Sequence, residues 1–185
     1  RQRRVIVIAL LVFTSHLAAC GSRKADGPAL GSVAGKGWDY PVHLGSSRAK
    51  VHQLLGNASR STELLEEYPM SGVTAWFDSE ARVSKLSFSG EAVALYSTGV
   101  FDAIPSDKPI VLGLTAHTDE GGFRRVLGTP LREAEIGPAT QKETRIVWRR
   151  DGYIVDALFL ASERVHGTKM IPKGSLVWCE VSPGQ

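Results

Sequence analysis

Residue types able to do covalent or metal chemistry are few in this chain, and most are scattered. Ser47-Arg48-Ala49-Lys50 sets a serine three positions before a lysine, a spacing used by one class of serine nucleophile. No companion motif accompanies it, and Ser47 reads better as a helix cap. His43, His52, His117 and His166 include no pair at metal-ligand spacing, so surface or loop roles are expected, with no metal and no cofactor. Asp156 interrupts the apolar run 154–159, where a hydrogen-bonded structural carboxylate is expected ahead of a catalytic acid. Cys179 lies in Val177-Trp178-Cys179-Glu180-Val181. Alternation puts Val177, Cys179 and Val181 on one face, which reads as core and not as a reactive thiol. The stretch 31–36 is one residue short of a phosphate loop and has no strand before it. No nucleophile elbow occurs. The expectation is a protein that is not an enzyme, with a small hydrolase as the remote alternative.

One cysteine stands apart. Arg1, Arg3 and Arg4 make a positive patch, residues 5–13 are an unbroken apolar run, and Leu17-Ala18-Ala19-Cys20-Gly21 follows. A positive end, a short apolar core and small residues before a cut describe a secretory signal. The run is shorter than the roughly 20 residues of a membrane span. Leu17-Ala18-Ala19-Cys20 is similar to the lipobox of bacterial lipoproteins. That resemblance implies that the Cys20 thiol receives a diacylglycerol, that residues 1–19 are removed as a signal peptide, and that the new amino end is acylated, with palmitate an expected acyl chain. Several acyl chains hold a protein firmly where one is marginal. The expected place is the bacterial cell envelope, lipid-anchored; Gly21 in the position where Asp would retain the protein implies the outer membrane, facing the periplasm. The chain starts at Arg1 and not Met, so a residue or more is expected before it.

Charge depends on this reading. The chain has 22 basic and 19 acidic residues. The first nineteen residues hold three Arg and no acid, leaving 19 of each sign in the remaining 166. A neutral remainder with interspersed signs is not the clustered basic face of a nucleic-acid binder, and no nucleic acid is expected as partner. With Cys20 taken by lipid, Cys179 is alone and no intrachain disulfide is expected. Residues 20–37 are the lipidated Cys and a small, Gly-rich flexible tether.

The elements beyond the tether follow a repeat. Gly56 and Gly128 are 72 positions apart, and the same offset pairs Trp76 with Trp148, Val83 with Val155 and Leu86 with Leu158. Val51, Leu54 and Leu55 form a stripe at helical spacing, as do Phe123, Val126 and Leu127. Ser46 or Ser47 caps the first helix; Thr115 or Thr118 caps the second, with Asp119 and Glu120 in its first turn. Gly56 and Gly128 stop the helices. Strands are expected over 73–78, 82–88 and 92–97, then over 144–150, 153–161 and 175–181, with turns at Ser79-Glu80 and Asp151-Gly152. The predicted fold is α+β: two tandem repeats, 38–100 and 101–185, each a short helix packed on a three- to four-stranded antiparallel sheet.

The run from Gly45 to Gly56, with Ser46, Ser47, Val51 and Leu54-Leu55, and the run Leu127-Gly128-Thr129-Pro130-Leu131 carry a family likeness. Ahead of antiparallel strands, they resemble the β-lactamase-inhibitor-protein (BLIP) repeat, a unit that also occurs singly in the SmpA/OmlA family of BamE-type lipoproteins. Asn57-Ala58 replaces the usual Gly-x-Pro ending in the first copy, and the second copy carries four extra residues around Asp119 to Gly122. Segments 39–44 and 103–112 contain Pro41, Pro105 and Pro109 and look extended, so the helix that often precedes the repeat is expected to be missing.

Alternation then places Val73, Ala75 and Phe77 under the helix and Thr74, Trp76 and Asp78 on the opposite face. Trp148 is expected there as the counterpart of Trp76, with Trp178, Tyr96 and Phe159, rimmed by Arg149, Arg150 and Glu180. Aromatics rimmed by charge suit a protein-binding patch. The alternative is that these rings cover one another where the two repeats meet. The expected function is binding of a protein partner by a membrane-anchored periplasmic lipoprotein, as an inhibitor or immunity-type protein. The alternative is a scaffold subunit of an outer-membrane assembly complex.

Overall fold

Two short helices form where caps and apolar spacing place them. α1 spans Arg48–Leu55 and α2 spans Glu120–Leu127 in the computed structural model, which describes residues 37–96, 104–106 and 108–184. The expected signal peptide, Cys20 and all of the expected tether but Gly37 lie outside the described residues. Ser47 Oγ accepts from the Lys50 amide at 3.3 Å, and Asp119 Oδ1 accepts from the Gly122 amide at 2.7 Å. The second cap is therefore Asp119, and neither Thr115 nor Thr118. Thr118 instead turns its hydroxyl onto the Thr115 amide at 2.9 Å, stabilising the preceding turn. Both helices end as expected, at Gly56 (φ 82°) and Gly128 (φ 78°).

The described residues form ten strands: β1 Arg60–Ser61, β2 Leu65–Tyr68, β3 Val73–Phe77, β4 Val83–Ser89, β5 Arg132–Ile136, β6 Glu143–Arg150, β7 Tyr153–Leu160, β8 Arg164–His166, β9 Lys169–Ile171 and β10 Leu176–Pro183. Eight form one antiparallel sheet in the order β1-β2-β3-β4-β10-β7-β6-β5, and β8-β9 is a separate hairpin. The fold is α+β. β10 lies between β4 and β7 and hydrogen-bonds both, so it joins the strands that follow α1 to those that follow α2.

Residues 92–97 were expected as a strand. Glu91–Tyr96 is instead a 3₁₀ helix. The place beside β4 is taken by β10, and Gly90 crosses its backbone so closely that a Cβ there would lie 2.2 Å from the Leu176 carbonyl. The Gly90 amide donates to Val177 O at 2.9 Å, and the chain leaves the sheet at that point. β1, β2, β5 and the β8-β9 hairpin are additions that alternation alone did not announce.

One face of the sheet is the core. Paired residues share a face, so Val73, Ala75, Leu86, Phe88, Cys179, Val181, Val155, Ala157, Ile146 and Trp148 stand together, all buried. α1 contributes Val51, and α2 contributes Phe123 and Leu127. Two short helices leave much of this face bare. The extended segments ahead of them fill it with Tyr40, Val42 and Leu44, then Ile110, Val111 and Leu114. Phe123, Trp148 and Phe159 form a ring cluster with centroids 5.2–6.4 Å apart.

The 72-residue offset survives in the helices and breaks in the hairpins. β6 and β7 meet through Asp151 (φ 44°) and Gly152 (φ 89°), pairing Trp148 with Val155 in unbroken register. β3 and β4 turn through residues 78–82, and the register shifts between Trp76, paired with Lys85, and Phe77, paired with Val83. Ser84 is the extra residue of this bulge. A one-residue slip reverses every side chain beyond it. The bulge turns Leu86 inward; Trp76 and Trp148 face opposite sides because Phe77 stands opposite Val83 whereas Trp148 stands opposite Val155. Leu86 lies in the main core, whereas its counterpart Leu158 lies in a second cluster on the other face with Ala92, Leu160, Ile171 and Val177.

Candidate functional site: the open face of the sheet

Among the described residues, the second face of the sheet is covered at one end. The 3₁₀ helix Glu91–Tyr96 and the β8-β9 hairpin pack over Leu158, Leu160 and Val177 through Ala92, Leu95 and Ile171. Three charged contacts fasten this cover. Lys169 Nζ donates to Glu91 at 2.8 Å, Arg164 donates to Lys142 O at 3.0 Å, and Arg164 also donates to the Tyr96 hydroxyl at 2.6 Å. Tyr96 in turn donates to Glu143. Burial first, and then this carboxylate, push the Tyr96 phenol up to about 12.

Beyond the cover the face is open and built in rows by the strand register. Trp76 is half-buried, its Nε1 donating to Ser87 Oγ at 3.3 Å, and Lys85 Nζ stands 4.3 Å above its ring. Ser87 Oγ and Lys85 Nζ both donate to Glu180 Oε1, each at 3.0 Å. Glu180 is the register partner of Asp156 across β10 and β7. Two carboxylates directly opposite repel one another, and each has its own cation: Lys85 for Glu180, and Arg145 for Asp156. Arg145 grips Asp156 through Nε at 2.9 Å and Nη2 at 2.5 Å, and the carboxylate holds the guanidinium above its ordinary value. The same guanidinium is 5.8 Å from the Trp178 ring. The face thus presents two aromatic surfaces, Trp76 and Trp178, separated by a charge network whose members are already partnered.

The five aromatics expected to form one patch divide. Trp76 and Trp178 are on the open face. Tyr96 is 42 % exposed at its margin, as part of the cover. Trp148 and Phe159 are buried in the main core and do not reach this face. For Trp148 the cause is the alternation of β6, which sets it in step with buried Ile146 and opposite Val155, and its Nε1 donates to Gly128 O, closing the end of α2 at 3.1 Å. For Phe159 the cause is alternation, since Asp156 must face the open side and position 159 then faces inward. Neither does the set make an inter-repeat stack, because Trp76 and Trp148 are on opposite faces. Glu180 is in the middle of the network and not at its rim. Arg145 and Lys85 were missed, although pairing each strand with its neighbour would have put them beside Trp178 and Trp76.

The remaining candidates settle into structural positions. Lys50 Nζ turns to Gln53 at 2.9 Å, away from Ser47. Cys179 is fully buried, and desolvation raises its thiol strongly, reinforced by Asp156 and Glu180. His52 joins a cluster missed in the sequence. Glu66, fully buried, accepts from Tyr68 at 2.6 Å, His52 at 2.9 Å and Ser61 at 3.0 Å, with Arg48 3.4 Å away. Burial raises its carboxyl, but the three hydrogen bonds outweigh it and the net direction is down. Among the described residues no three of His, Cys, Asp and Glu stand together as a metal set.

No family model matches the chain, and no curated protein matches it in sequence. Among solved structures it is similar to a DUF4309 family protein (YjgB) from Bacillus subtilis subsp. subtilis str. 168, at 12 % identity and a TM-score of 0.43, over 75 % of this chain and 79 % of that one.

Proposed function

We propose that this chain is a lipid-anchored protein of a bacterial envelope that binds a protein partner through the open face of its sheet. The observation that carries the reading is the pairing of Trp76 and Trp178 with charges that already satisfy one another. Lys85, Glu180, Arg145 and Asp156 need no counter-ion from a partner, so a partner covering the two rings gains apolar burial while meeting few unpaired charges. Cys20 in its lipobox-like setting supplies the anchor and the Gly-rich residues to 37 the reach. The finer reading is two tandem inhibitor-like units acting by occlusion. It is supported by two eight-residue helices, α1 and α2, each closing on a positive-φ glycine.

The test is capture of a partner from envelope extract by the full chain. Trp76→Ala and Trp178→Ala are each expected to weaken capture about tenfold or more, while Trp148→Ala acts only by unfolding the protein. Capture that is indifferent to both open-face substitutions refutes the reading. A captured toxin or secreted enzyme favours occlusion, and a β-barrel assembly component favours the scaffold role. Radiolabelled palmitate is expected to enter the wild type and not Cys20→Ser; label in the variant refutes the anchor.

A further inference from the structure

The two edges of the sheet are unlike. β1 is two residues long, and Arg48 reaches from α1 to hold the carbonyls of Thr62 and Glu63 that follow it. β5 is five residues long, every one exposed, and among the described strands it pairs with β6 alone. An edge strand leaves a row of N–H and C=O groups free to bond another strand, and proteins blunt such edges by shortness or charge. β1 is blunted. On β5, Glu133 and Glu135 share the face of their partners Ile146 and Thr144, and each is already engaged, by Arg124 at 2.7 Å and Lys142 at 3.0 Å.

On the open face β5 presents Arg132, Ala134 and Ile136. They border a cleft of about 400 Å³ whose apolar wall is completed by Leu131 and Val147 and whose floor holds the Arg145–Asp156 pair. Leu131 is 63 % exposed and Ile136 38 %. Arg145 is committed to Asp156, whereas Arg132 makes no ion pair among the described residues.

We propose that β5 receives an extended segment of a partner protein as a ninth strand. The segment carries a carboxylate side chain opposite Arg132 and, at alternate positions, apolar side chains over Ala134 and Ile136. Main-chain hydrogen bonds provide affinity and the alternate side chains provide selection. A second copy of this chain fits poorly. Two β5 strands paired antiparallel about Ala134 would set Glu133 against Glu135 twice, like charges directly opposed. The proposal rests on the protein-binding reading above and names the chemistry of the partner segment.

The test pans short random peptides against the full chain purified in detergent. Selected peptides are expected to alternate apolar residues with an acid at one end and to protect the amides of 132–136 from hydrogen exchange. They should bind Arg132→Glu about tenfold more weakly. Panning against Arg132→Glu is expected to replace the acid by Lys or Arg. Arg132 is exposed and unpaired, so the variant should keep the wild-type Tm. No selected peptide, protection elsewhere than β5, or a charge preference indifferent to Arg132→Glu overturns the proposal. Partner capture by the Trp76 and Trp178 variants is read separately. Loss of capture there, with no peptide at β5, refutes strand addition and leaves the open-face reading standing.

Discussion

Glu66 shows how one carboxylate holds the start of the sheet to α1. It is fully buried and takes hydrogen bonds from Tyr68, His52 and Ser61. Glu66→Ala would strand the buried Tyr68 hydroxyl, at a cost of about 2 kcal/mol by chemical denaturation. The folded carboxyl titrates below its ordinary value of 4.5. Its contribution is therefore complete above that value and disappears as pH falls through the lowered folded one. A melt series below pH 4.5 should show wild type losing stability more steeply than Glu66→Ala; parallel slopes would contradict the arrangement. Cys179 gives a second residue-scale prediction. In a Cys20→Ser background the native protein should not react with an aromatic disulfide reagent, and one thiol should appear on denaturation. Alternation placed Cys179 and Val181 correctly in the core, but Val177, expected with them, lies in the second cluster because the β10 register shifts between Leu176 and Trp178. The Glu66 cluster was not legible, because His52, Ser61 and Glu66 meet only once β1 and β2 fold beside α1.

Elements carry the contrast between the two copies. Both helices and both glycine stops were legible, since glycine stops and 3.6-residue spacing are local signals, while the second cap, Asp119, was misassigned to the threonines before it. The orientation of Trp148 was not legible. It depends on turn length: five residues join β3 to β4 and put Phe77 opposite Val83, while two residues join β6 to β7 and leave Trp148 opposite Val155. Sequence offset compares positions along the chain, whereas a face is set by pairing across it. Trp148→Ala should therefore cost about 3–5 kcal/mol, and Trp76→Ala, half-buried on the open face, well under half of that by urea denaturation. Similar losses for both would mean that Trp76 is as deeply packed as Trp148. Asp119→Ala, which removes a 2.7 Å cap, should cost about 1 kcal/mol, more than Ser47→Ala with its 3.3 Å cap.

For the whole molecule the decisive fact is the place of β10. Each helix was expected to carry its own meander, and local patterns could not reveal that the last of the six expected strands pairs with β4, some ninety positions earlier. A chain ending after Gly174 loses the strand that joins both halves and the cover anchored around Val177. It should show no cooperative thermal transition by circular dichroism. A sharp transition in that truncated chain would mean that one half folds alone.

The position of β10 also sets a timetable. It is the last strand of the sheet to emerge from the ribosome, yet it lies near the middle, and until it arrives β4 and β7 have no common neighbour. Pairings so distant in sequence are slow to form. A polypeptide built this way stays threadable for most of its synthesis. On the proposed envelope location, it would pass a narrow translocation pore as an unfolded strand and close its sheet on the far side, where the proposed partner would be met.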